Sequence, residues 1–337
     1  MTTFTTFENN TANDSNDLIG KMKTFLETNG FIIEDFFQEG NGQRLHVSKN
    51  GLYYNFKSFT NESPFSQSST SNTNSWQSTD AEPYNSGICG NVSKSYDNTL
   101  DYDRQLGSLT DDYSGNEDLS QPQANPILTT DGPIIEYDFF YNEKVFYIVC
   151  QFNSGYYSHM AFGELDKMGD YEGGSFISAT FYHRFSNFST TYLPTPSMYA
   201  KNYQDRSYYA NQVLINKSVR KMSGLIPTNE NNQTPIYNFE FIRKSKNPFL
   251  NGKGTLIPES FYTIEKIDNT YKNMPIGTVN GVYMVYFENY TPKEIITIGS
   301  RIYVVFPFWK KESPWDDTDK KSSGLGLAIQ VDNNYTA

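Results

Sequence analysis

With 337 residues, the chain is long enough for one large β domain or two smaller ones. A net charge of −11 leaves no basic footprint for nucleic acid and no attraction to anionic membranes. No apolar run approaches the roughly 18–20 residues that a membrane-spanning helix needs.

The mean hydropathy is low, at −0.62. Yet the chain carries 26 Tyr and 25 Phe. A core is therefore built from a few large rings, each able to bury on the order of 150–250 Å². The abundance of Asn, Lys, Tyr, Phe and Ile together is what an AT-rich genome produces unaided, so the aromatic excess is weak ground for sugar binding.

The opening, MTTFTTFENN, has neither a basic n-region nor an apolar h-region, and a secretory signal is not expected. Cys89 and Cys150 are the only cysteines. They read as two free thiols of a reducing cytosol, a disulfide being possible but not implied.

The first element is a helix over residues 16–29, where Leu18, Ile19, Met22, Phe25 and Leu26 form one apolar stripe. Ser15 or Asn16 caps its start, and Gly30 occupies the C′ position. The pattern then changes to a period of two. A strand is expected over 31–37, and strands over 44–49 and 52–59 flank Asn50-Gly51, which supplies the positive φ values of a type I′ turn.

Residues 60–82 are rich in Ser, Thr and Asn and read as a long loop or insertion. Residues 88–133 stay polar and acidic, with Tyr96, Tyr102 and Tyr113 as anchors. Dense β runs follow over 134–141 and 144–152, around a turn at Asn142-Glu143. A further pair ends in a strand over 175–182, with Gly173-Gly174 permitting a bulge or turn.

Beyond a loop over 187–206 that carries Pro194 and Pro196, strands are expected over 211–219, 236–243, 282–288, 295–298, 301–308 and 325–331. The connection 297–301 reads as a tight turn. The expected fold class is mainly β: antiparallel sandwich or barrel-like sheets with one N-terminal helix and long polar loops. The expected divisions are 1–60 (helix and hairpin), 61–133 (polar insertion), 134–186 (central β block, packing with 31–60) and 187–337 (C-terminal β region).

Candidate chemistry is thin. His46, His159 and His183 show no metal-ligand spacing. Asp101-Tyr102-Asp103 and Asp316-Asp317-Asp319 offer oxygens to a calcium ion, but loop acids are far more often solvated. Ser158 and His159 are adjacent on a strand and point to opposite faces, which disfavours a catalytic couple.

Glu136 and Asp138 share one face of a strand, alternating with Tyr137, Phe139 and Tyr141. That is the pattern of a half-buried antiparallel strand, and it accounts for the acids without catalysis. The glycine-rich run 169–174 lacks the Lys-Ser/Thr pair and the strand–loop–helix context of a phosphate cradle. Tyr156-Tyr157 and Tyr208-Tyr209 each place one ring outward, at an exposed site or an interface. Asn91-Val92-Ser93 and Asn187-Phe188-Ser189 match the glycosylation pattern by composition alone.

Several motifs stand out along the chain. The first are Met22-Lys23-Thr24-Phe25-Leu26-x-x-Asn29-Gly30, followed by Arg44-Leu45-His46-Val47 and Tyr53-Tyr54-Asn55-Phe56. A central block contains Tyr137-Asp138-Phe139-Phe140-x-Asn142, then His159-Met160-Ala161-Phe162-Gly163-Glu164-Leu165-x-Lys167-x-Gly169-x-Tyr171-x-Gly173-Gly174-x-Phe176. Together with the strands over 301–308 and 325–331, these motifs resemble the virion structural proteins of tailed bacteriophages.

The resemblance implies a non-enzymatic building block of a neck or collar, a tail or a baseplate, assembled in the bacterial host cytoplasm and located in the virion. Its implied partners are other virion proteins, such as portal, neck, tail or baseplate subunits, and further copies of itself in a symmetric ring. No cofactor, metal, nucleic-acid or membrane partner is expected. The alternative is a tail-peripheral or baseplate protein that binds host carbohydrate or a receptor through exposed tyrosines and Trp76, Trp309 or Trp315.

Overall fold

The structure is a computed structural model that describes residues 3–60, 86–102, 104–107, 127–130, 133–152, 155–179, 211–216, 218–223, 256–267, 270–287, 290–307 and 325–336. Expectations concerning Trp76, Asp103, Tyr113, His183, Tyr208, Tyr209, Trp309, Trp315, the acids at 316–319, the loop 187–206 and the strand 236–243 lie outside these residues.

The described chain is mostly antiparallel β with one helix. The elements run β1 (Thr6–Ala12), α1 (Ser15–Thr28), β2 (Ile32–Glu39), β3 (Gly42–Lys49), β4 (Leu52–Thr60), β5 (Ser86–Ser93) and β6 (Ile127–Thr129). Then come β7 (Ile134–Tyr141), β8 (Val145–Phe152), β9 (Tyr156–Glu164), β10 (Asp166–Lys167), β11 (Gly173–Ala179), β12 (Asn211–Ile215) and β13 (Ser218–Ser223). The last are β14 (Ile257–Ile267), β15 (Thr270–Tyr286), β16 (Glu294–Ile298), β17 (Arg301–Pro307) and β18 (Leu325–Val331).

The apolar stripe of α1 is fully inward: Leu18, Ile19, Met22, Phe25 and Leu26 are all buried. The cap is Asp14 rather than Ser15 or Asn16; its carboxylate accepts 2.8 Å bonds from the Asn16 and Asp17 amides. Ser15 instead turns inward and donates to the Phe59 carbonyl. Asn50 and Gly51 have φ of 53° and 76° and close the β3–β4 hairpin as the Asn-Gly pair requires. Gly299, at φ 63°, turns β16 into β17.

Four differences from the sequence reading have clear physical origins. β1 precedes the helix; its Asn-rich sequence carries no hydrophobic alternation because it is an edge strand paired only with β7 among the described residues. β5 falls in a stretch that reads as polar loop. Asn91 and Ser93 sit in it because its outer face contacts a polar layer, whereas Gly90 faces the core, where an added Cβ would run into Phe56 and Ile177. The strand expected over 211–219 is the β12–β13 hairpin, turned at Asn216 (φ 49°). The strand expected at 282–288 is the end of the much longer β15, which pairs with an unforeseen β14.

The main sheet runs β1-β7-β8-β9-β11-β12-β13-β14-β15-β18-β17-β16 and curls so that its two halves face each other. Phe140, Tyr147, Phe176 and Val213 from one half meet Phe261, Met284, Val304, Phe306 and Leu327 from the other in a single core. Two contacts draw the curl together: β10 pairs with β15, and Phe4 bridges Val331 in parallel.

The opposite face of β7–β9 and β11 is equally covered. Phe139, Phe146, Ile148, Phe162 and Ile177 pack against α1 and against the second sheet, β2-β3-β4-β5-β6. Phe25 lies 5.4 Å from Phe139, and Phe56 lies 4.9 Å from Phe162. β7–β9 is thus a layer buried on both sides, which explains its density of large apolar residues. Among the described residues, no helix is long and apolar enough to cross a membrane.

Candidate functional site

On β7 the pleat sends Glu136, Asp138 and Phe140 to the inner face of the curled sheet. The sequence reading made this strand half-buried; in the fold both faces are covered, and Asp138 is 3% exposed. A carboxylate so placed needs partners. The Lys293 ammonium lies 2.6 Å from Glu136 Oε1, 2.9 Å from Asp138 Oδ2 and 3.0 Å from Asp138 Oδ1. The Asn9 amide donates to Glu136 at 2.8 Å and to Asp138 at 2.9 Å. The Tyr335 hydroxyl donates to Asp138 at 3.2 Å.

Burial raises the Asp138 carboxyl above its ordinary range, against the lowering pull of Lys293. Burial also raises the phenols of Tyr157 and Tyr335, with the two carboxylates adding to the effect. Lys293 itself adopts φ 63° in the turn that enters β16. The group therefore joins β1, β7, that turn and the C-terminal segment. Glu136 and Asp138 are singled out by the sequence, but Asn9, Lys293 and Tyr335 are not. Nothing local marks them, since their partner is reached only through the topology.

The curled core holds a second polar group. His159 shares a face with Tyr157 and Ala161, opposite to Ser158, as the alternation predicts. Its Nε2–H donates to the Pro307 carbonyl at 2.9 Å, which leaves Nδ1 to accept from Tyr147 Oη at 3.4 Å. Burial lowers its pKa to about 4, so it is neutral at pH 7. Tyr157 is buried, and Tyr156, on the opposite face, is half-buried and stacks on Phe152.

A third polar group lies on the outer face of the smaller sheet. His46 Nδ1 bonds Asn55 Oδ1 at 2.8 Å, and Asn55 donates to Asn91 and Ser93. The segments 94–102 and 104–107 lie against this layer. Tyr96 tilts over His46 at 4.5 Å and donates to Asp35. Burial, joined by the nearby Arg44 charge, lowers the His46 pKa.

Asp101 pairs with Arg44 at 2.8 Å. Glu39 also ion-pairs with Arg44, and with Lys57 at 3.2 Å. Burial acts to raise the Glu39 pKa, but Arg44 and Lys57 hold it below its ordinary value.

The two histidines that the structure describes are therefore far apart in function and place: one in the curled core, one on the outer layer. No group of three or more His, Cys, Asp or Glu among the described residues could hold a metal ion. Both cysteines are buried, and neither is in a disulfide.

No family model matches the chain, and no curated protein matches it. The described polar groups are pinned by scaffold contacts, and the one at Lys293 sets acid, amine and amide side chains close together. The Gly173-Gly174 pair marks a β-bulge against β12, at φ 95° and 110°, as its sequence context indicates.

Proposed function

We propose that this chain is a structural component of a tailed-phage particle. In this reading it is a non-enzymatic neck, collar or tail-assembly protein that works in multiple copies in a symmetric ring. It is made in the host cytoplasm and ends in the virion, with other virion proteins as its partners.

One observation carries the reading. The motifs that resemble phage virion proteins fall on the scaffold itself: 137–142 in β7 and its turn, and 159–176 in β9, β10 and β11. Phe139, Phe140, Met160, Phe162 and Phe176 in these motifs are buried. A resemblance held in core positions speaks for a shared building plan rather than a shared reaction. The β16 strand adds support, because it pairs only with β17 among the described residues and exposes Ile295 and Ile298. Such an edge is suited to strand or loop contacts between subunits.

The decisive experiment is mass spectrometry and immuno-electron microscopy of particles produced from the genome that encodes this chain. The expected result is a multiple-copy component at the neck or along the tail. Absence of the protein from purified particles would overturn the proposal. Peripheral location together with glycan binding would favour the host-carbohydrate reading instead.

A further inference from the structure

We propose that Lys293 and Asp138 form an intramolecular isopeptide bond, with Glu136 as the proton acceptor. The bond would tie β7 covalently to the turn that leads into β16. The inference is independent of the virion reading.

The first ground is proximity. Lys293 Nζ lies 2.9 and 3.0 Å from the two oxygens of one carboxyl group, so it is already at near-attack range of Cγ. The second is the buried, aromatic setting of Asp138. Asp138 is 3% exposed, and Phe140, Tyr157 and Tyr335 belong to the buried core beside it, with Phe7 packed on that core.

The third ground is the placement of the helpers. Glu136 Oε1 is 2.6 Å from the ammonium. Asp138 Oδ1 accepts from both the Asn9 amide and the Tyr335 hydroxyl, two donors set where an oxyanion would develop. The fourth is the backbone. A non-glycine residue at φ 63° is uncommon, and the Lys293 side chain is aimed inward from that conformation.

The reaction balances without an oxidant or a co-reactant. The Lys293 ammonium gives one proton to the Glu136 carboxylate. The freed lone pair attacks Cγ of Asp138 in its carboxylic acid form, and the carbonyl electrons move to Oδ1. Glu136 then protonates Oδ2, which departs as water while the carbonyl reforms. Finally the amide nitrogen loses its second proton to Glu136. The sum is one ammonium, one carboxylic acid and one carboxylate giving one amide, one water and one carboxylic acid. The proton left on Glu136, which is partly exposed, passes to solvent.

Burial favours the acid form of Asp138 that this sequence of steps requires.

The test is the denatured mass of the purified full chain, followed by peptide mapping. The expected mass is lower than the sequence mass by one water. A branched peptide should join residue 138 to residue 293 in wild type and be absent from E136Q and K293R. K293R keeps the positive charge, and its circular dichroism verifies folding.

A wild-type chain at the full sequence mass overturns the proposal, whatever the variants do. A deficit of one ammonia instead of one water overturns Asp138 as the partner, since ammonia leaves from a side-chain amide and not from a carboxyl group. An undiminished crosslink in E136Q overturns the role of Glu136.

Discussion

His159 and Pro307 stand 148 positions apart and are joined by a 2.9 Å hydrogen bond across the curled core. The imidazole can donate there only from Nε2, and burial keeps it neutral, with a pKa near 4 against 6.5 for an ordinary histidine. In the unfolded chain it takes up a proton first as pH falls. The stability it supports is therefore fully present above about pH 6.5 and is lost progressively down to about pH 4.

Urea titrations of wild type and H159Q between pH 7 and pH 4 check this. Wild type should lose about 3 kcal/mol more than the variant over that window, as a pKa of about 4 in the fold implies. Parallel pH profiles would remove His159 as the cause.

Tyr54 links the two sheets. Its hydroxyl donates to the Gly163 carbonyl at 3.0 Å and accepts from Ser175 Oγ at 3.0 Å, all of it buried. Y54F leaves both partners unsatisfied and should cost about 1–3 kcal/mol. Y54A also removes the ring that lies 4.8 Å from Phe162 and should cost about 3–5 kcal/mol. Chemical denaturation of the two variants gives both values; an undiminished stability in Y54F would show that the hydroxyl contributes nothing, and equal losses would show that the ring contributes nothing beyond it.

Two glycines should respond to alanine with opposite signs. Gly20 lies inside α1 with no atom within 4 Å of an added Cβ, so G20A should stabilise by roughly 0.5–1 kcal/mol. Gly173 has φ 95°, and its Cβ would stand 2.3 Å from the Leu214 carbonyl oxygen. G173A should therefore destabilise by about 1–3 kcal/mol. Thermal melts of the pair check both signs in one experiment.

The thiols of Cys89 and Cys150 are buried, and burial raises the Cys150 pKa well above its ordinary value. A thiol reagent should leave the native protein unmodified and react with both cysteines after denaturation. Rapid native labelling at Cys150 would contradict the two-sided burial of β8.

What could be read from the sequence was what is local. The α1 stripe, the Asn50-Gly51 turn, the β7 and β8 strands and the bulge at Gly173-Gly174 each follow from neighbours a few residues away. The misses share one cause. β1 and β5 take their strand identity from partners rather than from their own alternation, and Asn216 turns a hairpin that depends on β11 and β14 for its place.

The same holds for the polar cluster. Glu136 and Asp138 are legible as a pair on one face. Whether that face meets water or a lysine 155 positions later is decided by the curl of the sheet. Their burial was thus beyond reach of the period-two pattern, which reports that two faces differ but not that one of them is wet.

The contacts of Phe4 have a consequence for biosynthesis. Its amide donates to Gln330 at 3.0 Å, and its carbonyl accepts from Asp332 at 3.3 Å, so the first strand region is completed only by the last. A ribosome delivers those partners more than three hundred codons apart. Until the C-terminal strands emerge, the inner face of β7–β9, with Phe140, Tyr147 and Tyr157, has no cover. The nascent chain must wait with that aromatic surface open, which exposes it to self-association and makes a holding chaperone useful during translation.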